Sequence, residues 1–163
     1  MAAPFVQLPL QKPIIWLSLA RHHGRPTRLL DWTLSPLVAA FFAASSESDV
    51  QDDFAVYAYE SNYYEESIEI DDPFLVKEAY VEVHVDHYSE RMAAQRGFFT
   101  LHRKPDRPFR VRSLIKFVFP SKTRSDTLCV LDFYGVNKSS LFPGLDGIAE
   151  YWKWFYKIGE GFE

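Results

Sequence analysis

From Trp32 to Ser46 the chain carries no charged residue, and this run constrains the fold more than any other. Within it, Ser35 has the hydroxyl of a good N-cap and Pro36 suits the first helical position. The spacing predicts a helix over 36–44, with the sequence PLVAAFFAA. A helix without charge on any face is expected to be buried nearly all round, so the fold must supply layers of other elements to cover it. The run falls short of the roughly 20 residues that span a bilayer, and no membrane partner is expected. Nothing near Met1 reads as a signal peptide, because no basic residue precedes an apolar run with a cleavage site.

The 163 residues suit one domain with a real core, and the 47% hydrophobic and 25% charged fractions exclude disorder and fibrous repeats. Aromatic residues reach 17%, enough to fill a core or to line a pocket for flat ligands. A net charge of -4 argues against binding nucleic acid through bulk charge. A single cysteine, Cys129, cannot form an internal disulfide and suits a reducing, cytoplasmic setting. Charge is segregated along the chain. Residues 47–90 hold 14 acids against one base, Lys77, and residues 91–112 hold seven bases against one acid, Asp106. The basic block could form an anion-binding rim or pair with the acidic block. Residues 61–72 carry charge and turn signals without an apolar face and read as a solvated loop.

Further elements are expected along the chain. A short helix over 14–23 has Pro13 near its start and Gly24 at its end, and an extended or turn segment covers 27–32. Strands are expected at 54–60, 79–85, 98–102 and 111–119. In the second of these Val81, Val83 and Val85 oppose Tyr80, Glu82 and His84; in the last Ile115, Phe117 and Phe119 oppose Arg112 and Lys116. A turn of helix precedes Gly97 over 89–95. Ser125 can cap a helix to Tyr134 that turns Leu128 and Leu131 inward and stops at Gly135. A last helix over 146–157 places Ile148, Trp152 and Phe155 on one stripe. Helices and strands without regular alternation predict an α+β domain, with a small mixed or antiparallel sheet packed against helices.

Polar and apolar features are densest over Arg21–Ala43. The first turn of the 36–44 helix lacks an acid, and Val38 stands where a capping box would put Glu or Gln. That bare start could receive a phosphate or carboxylate, or Ser35 and Thr33 could satisfy its donors alone. Arg28 and Asp31, three apart, could meet as an ion pair that fixes a loop, or hold a phosphate and a ribose hydroxyl respectively. Trp32 could wall a pocket or a core. Arg91 and Gln95 share a helical face, and with Phe98 and Phe99 they could bind a planar ring or tie a strand to a loop. His22 and His23 point about 100° apart on a helix. His84 and His87, three apart on a strand, face opposite ways. No metal site is expected, and Cys129 reads as inert core.

These clusters, His22-His23-Gly24, Pro26-Thr27-Arg28-Leu29-Leu30-Asp31-Trp32-Thr33, Ser35-Pro36-Leu37-Val38-Ala39 and Phe42-Ala43, resemble the FRG domain family. Arg91 to Gln95, Gly97 and Phe99-Thr100 resemble its second motif, and Leu141-Phe142-Pro143-Gly144-Leu145-Asp146-Gly147 its closing helix entry. The aromatic-Arg-Gly motif that names the family is absent, so the chain is expected to be an N-terminally shortened FRG-like domain spanning 1–163, with other domains of a longer parent protein as possible partners. The resemblance implies a domain of uncharacterised activity in a bacterial or phage conflict system.

A weaker likeness is to the ADP-ribosyltransferase fold, with Ser35-Pro36 and Phe42-Ala43 as part of its cofactor arrangement. That likeness implies NAD, a small-molecule nucleotide, as cofactor. Arg28 and the helix start at Ser35 would hold phosphate, while Trp32 and Phe99 stack a ring. His23, Thr27, Asp31 and Arg91 complete the cofactor contacts, and Glu90 or Gln95 takes the catalytic role at the ribose. An amide cannot act as a base, so the alternative is a non-catalytic ligand- or protein-binding module.

Overall fold

A computed structural model describes residues 12–46, 51–61, 70, 72–84 and 90–159. Helices and short antiparallel strands alternate irregularly through them, giving the expected α+β class. The described residues fall into two compact units. One takes those of Met1–Trp32, Ser61–Tyr88 and Phe98–Arg110; the other takes those of Thr33–Glu60, Ser89–Gly97 and Val111–Glu163. Most of the 61–72 loop expectation, together with Val85, His87 and Ser89, lies outside the described residues.

The first unit begins with α1 (Pro13–His22), which opens on a proline and places Arg21 and His22 in its last turn, where the negative end of the helix dipole favours them. Gly24, at φ +73°, adopts the left-handed conformation that lets the N–H of Arg25 donate back to the Ala20 carbonyl. The chain then enters β1 (Leu29–Thr33), which lies on one side of β4 (Gly97–His102), with β3 (Tyr80–Val83) on the other. The β3–β4 register is antiparallel and sets Val81 opposite Leu101 and Val83 opposite Phe99. These four are buried, as the alternation in 79–85 predicts. Tyr80 and His102, also opposite each other, share the other face with Glu82 and Thr100. Central strand β4 buries Phe98, Phe99, Thr100 and Leu101 in succession.

The second unit is built around α2 (Pro36–Ala44), whose bounds match the sequence reading. Val38 and Phe41 join Leu131 and Leu141 in its core, with Leu128, Val136 and Phe142 packed against them. Leu131 comes from α4 (Arg124–Phe133) and Leu141 from α5 (Lys138–Leu141). A 3-10 turn at Ser121–Thr123 precedes α4, so its first residue is Arg124, and Ser125 is not the cap. Gly135, at φ +74°, ends it as expected. Burial of α2 is not complete: Leu37 and Phe42 are exposed, because its packing partners α4 and β2 (Phe54–Ala58) leave one side open.

β2 pairs antiparallel with β5 (Ile115–Phe119), aligning Phe54 with Phe119, whose rings stack at 5.2 Å. All five residues of β5 are exposed, so its alternation marks two faces without burying either. The same correction applies to α6 (Leu145–Gly159). Ile148, Trp152 and Phe155 form one stripe as predicted, but the stripe faces outward. The inward side is set by Gly147, where any Cβ would overlap the Phe142 carbonyl.

Arg124, only 8% exposed, is the residue that sequence reading missed in this unit. Its guanidinium donates to the carbonyls of Ala43 and Ala44, at 3.1 and 3.0 Å, and to that of Asp52 at 3.0 Å. It also lies 4.9 Å over the Phe54 ring. One planar fork thus serves the last carbonyls of α2, which has no basic residue of its own in its last turn. Replacing Arg124 by Ala should lower unfolding free energy by about 3 kcal/mol, measured in urea, since one buried and two part-buried carbonyls lose a charged donor. Arg124→Lys should recover only part of that loss, because an ammonium lacks the planar fork.

Candidate functional site

The 21–43 cluster divides between the two units, and each part is described on its own. In the first unit Arg21, at the end of α1, donates through Nε and Nη2 to Oδ2 of Asp31, both at 2.6 Å. Asp31 therefore pairs with Arg21, not with Arg28. The reason is local geometry. Asp31 sits within strand β1, where an odd separation sends side chains to opposite faces, whereas the turn at Gly24 brings the end of α1 back alongside it.

Arg28 instead donates to the Pro73 carbonyl at 3.3 Å and places its guanidinium 4.6 Å over the Phe74 ring. Thr27 accepts the N–H of Leu29 on its hydroxyl at 3.2 Å, a short local turn. His23 is the C-cap residue of α1 and is exposed, with its ring edge-on to His22 at 5.4 Å.

Trp32 enters the polar face of the sheet. Its indole Nε1 donates to the Thr100 hydroxyl at 2.9 Å, and that oxygen lies 2.8 Å from Nε2 of His102. Thr100 is fully buried. Phe109 meets Trp32, Tyr80 and His102 edge-on, at 5.3, 5.0 and 5.4 Å, closing an aromatic group over the hydroxyl. Phe99 is buried on the opposite face of β4 with Val81 and Val83. Sequence reading missed Tyr80, His102 and Phe109 here. The alternation of β3 and β4 held the signal for the first two, because Thr100 and His102 are two apart; Phe109 lies beyond the strand and gave none.

In the second unit the start of α2 is capped from within. The Ser35 hydroxyl accepts the Val38 N–H at 3.4 Å, and Thr33 accepts the Ser35 N–H at 3.1 Å while donating to the Gln95 carbonyl at 2.7 Å. Gln95, the last residue of α3 (Glu90–Gln95), donates its amide to the Leu141 carbonyl at 3.0 Å. Arg91, one turn earlier, lies 4.5 Å over the Phe142 ring. Both residues of the shared face are thus turned to α5 and its C-terminal neighbour. Glu90, at the start of α3, is exposed.

The second unit also holds a cleft of about 180 Å³ lined by Phe41, Ser45, Leu128, Asn137, Tyr151 and Trp154, among others. Asn137 donates to Asp132 at 2.8 Å, and the Tyr151 hydroxyl lies 3.5 Å from the same carboxylate. Burial first, and then Asp132, push the Tyr151 phenol above its usual range. Sequence reading did not find this cleft, since its residues come from four elements with no local pattern. Among the described residues no three His, Cys, Asp or Glu gather where a metal ion could bind, and no helix is long and apolar enough to cross a membrane.

An α+β domain with a small central strand, an aromatic face and internally tied polar residues is the class these features define. Within it, the family model of the FRG domain matches residues 4–52, which supports the resemblance drawn from the motif at 21–43. The second motif and the closing helix entry lie beyond the matched residues. Neither a curated protein nor a solved structure matches the chain.

Titration offers a direct check on the aromatic face. Burial lowers the His102 pKa below 6.5, and burial likewise lowers that of His84, against the opposing pull of Glu82. A histidine whose folded pKa is depressed takes up fewer protons folded than unfolded between its folded value and 6.5. Stability should therefore fall as pH drops from about 7.5 to about 5.5. Urea unfolding at the two pH values measures this, and His102→Gln should reduce the dependence.

Proposed function

We propose that this FRG domain acts as a non-catalytic binding module within a larger assembly, with its motif serving as internal scaffold. One observation carries this reading: the motif's polar side chains are engaged inside their own units. Asp31 is taken by Arg21, Trp32 by Thr100, Gln95 by Leu141, and Ser35 by the first turn of α2. Arg28 donates to a backbone carbonyl and covers Phe74. Groups that complete the hydrogen bonding of strands and helix ends have little capacity left for a ligand.

A second reading, an NAD-handling domain related to ADP-ribosyltransferases, draws support from the first turn of α2, which carries no acidic residue. A helix start of that kind favours an anion. In that reading Ser35 and the helix start hold phosphate, and Glu90 is the carboxylate that could act at the ribose.

Calorimetric titration with NAD separates the two. The scaffold reading expects no saturable heat at millimolar cofactor, while saturable heat that Ser35→Ala weakens overturns it. The scaffold reading also expects Trp32→Phe to cost about 1–3 kcal/mol of stability, because the buried Thr100 hydroxyl loses its indole donor. A Trp32→Phe chain of unchanged melting temperature would speak against the scaffold role.

A further inference from the structure

The cleft of the second unit stands outside the scaffold reading, because none of the motif's tied polar residues lines it. Three aromatic side chains do: Phe41 from α2, and Tyr151 and Trp154 one turn apart on α6. The two α6 rings lie 6.1 Å apart and are tilted by 35°, while Phe41 is held in the core. Leu128 of α4 adds hydrocarbon. The volume of about 180 Å³ slightly exceeds the roughly 150 Å³ of an apolar cavity that takes up one benzene molecule. The space therefore suits a single small group, about the size of one ring.

Electrostatics decide the charge of that group. Aromatic rings are negative over their faces and attract cations there. Glu150 lines the cleft beside them, with its exposed carboxylate 3.7 Å from Lys153. A second carboxylate, Asp132, is not part of the lining but is tied to it. It accepts the Asn137 amide at 2.8 Å and has the Tyr151 hydroxyl 3.5 Å away. Burial and then Asp132 hold the Tyr151 phenol above its usual range, so the ring stays protonated. Val136 and Asn137, also in the lining, follow the C-terminal end of α4. That helix has no basic residue in its last turn, so the negative end of its dipole lies beside the cleft. Lys138 is the base among the described lining residues, and its ammonium lies 4.5 Å over the ring of Phe142, which does not line the cleft. An anion would meet acids and occupied donors here. The Asn137 amide nitrogen is turned to Asp132, and its oxygen accepts from Ser139 and Ser140.

We propose that this cleft binds a small organic cation, an alkylated ammonium group seated against Phe41, Tyr151 and Trp154 with Glu150 as its counter-charge. The rings supply affinity for the cation and its methyl groups together, and the carboxylate selects charge over shape.

Choline is the probe, and the alcohol with a tert-butyl group in place of trimethylammonium is its uncharged control. The indole N–H resonances of the full chain are followed by NMR, with that of Trp154 identified by Trp154→Phe. Choline at about millimolar concentration should shift the Trp154 signal saturably, and the alcohol should bind about fivefold more weakly or not at all. Glu150→Gln should weaken choline binding about threefold or more while leaving circular dichroism and melting temperature unchanged, since the carboxylate is exposed. Trp154→Leu, which keeps an apolar side chain but removes the ring, should abolish binding. Lys138→Met should leave choline binding intact or tighten it. Absence of a saturable shift overturns the proposal, as does equal binding of the alcohol, which would make the cleft merely apolar. Choline binding that Glu150→Gln leaves unchanged overturns it too. So does a site that takes up inorganic phosphate and loses it in Lys138→Met, because that site selects anions. Cosedimentation with phosphatidylcholine vesicles that free choline reverses would place the cation on a lipid headgroup; choline binding without cosedimentation makes it a free solute, and either supports the proposal.

Discussion

A helix that carries no charge cannot neutralise its own ends, and α2 is such a helix. Its first turn leaves N–H groups without intrahelical partners, Pro36 having none to satisfy, and its last turn leaves carbonyls, all of which need partners outside the helix. At the N-terminus the Ser35 hydroxyl takes the Val38 N–H, and Thr33 holds the entering chain by linking Ser35 to the Gln95 carbonyl. At the C-terminus the charged donor among the described residues is Arg124, which comes from a helix that begins eighty residues later. The requirement for that guanidinium explains the position of α4, because its first residue must reach the end of α2 while Leu131, two turns on, joins Val38 and Phe41 in the core. The apolar content of α2 demands cover, and its unmet backbone groups decide which elements provide it.

The first unit depends on a comparable demand made by a single hydroxyl. Thr100 is fully buried in the central strand, where an unpaired hydroxyl costs about 1–3 kcal/mol. Indole and imidazole nitrogens flank it at 2.9 and 2.8 Å. The indole can only donate, and the hydroxyl's second contact is the His102 ring, whose pKa burial lowers. Three side chains thereby meet at one oxygen, and Phe109 packs edge-on against Tyr80 and His102 beside them.

Much of this was legible in the sequence, and the remainder was not for definable reasons. The bounds of α2, the inward faces of Val81 and Val83, the stop at Gly135 and the inward Leu131 all follow from local periodicity and capping, which act over a few residues. The partner of Asp31 did not follow, because proximity in sequence suggested Arg28 while the Gly24 turn delivered Arg21. The role of Arg124 was invisible, since its three acceptors are carbonyls, which every residue has, lying seventy to eighty residues away. For the candidate site, the residue types were readable and their engagement was not: Gln95 and Arg91 do share a face, but the neighbour that occupies it is α5 and Phe142.

Periodicity also leaves one bit of information undetermined, and α6 shows its physical origin. A repeat of apolar positions establishes that a helix has two unlike faces; it does not say which faces the chain's own core. In α6 the deciding residue is the smallest one. Gly147 can approach the Phe142 carbonyl as no other residue could, so the helix lies against its own chain along the line of Gly147, Tyr151 and Trp154. Once that line is fixed, the roughly 100° step between residues turns Ile148, Trp152 and Phe155 out of the contact, and Leu145 further still. The exposure of four large apolar side chains is thus a geometric consequence of one close backbone contact. A side chain at position 147 would overlap the Phe142 carbonyl, so the glycine that lets α6 close on its own chain is also what leaves these apolar side chains outside the core.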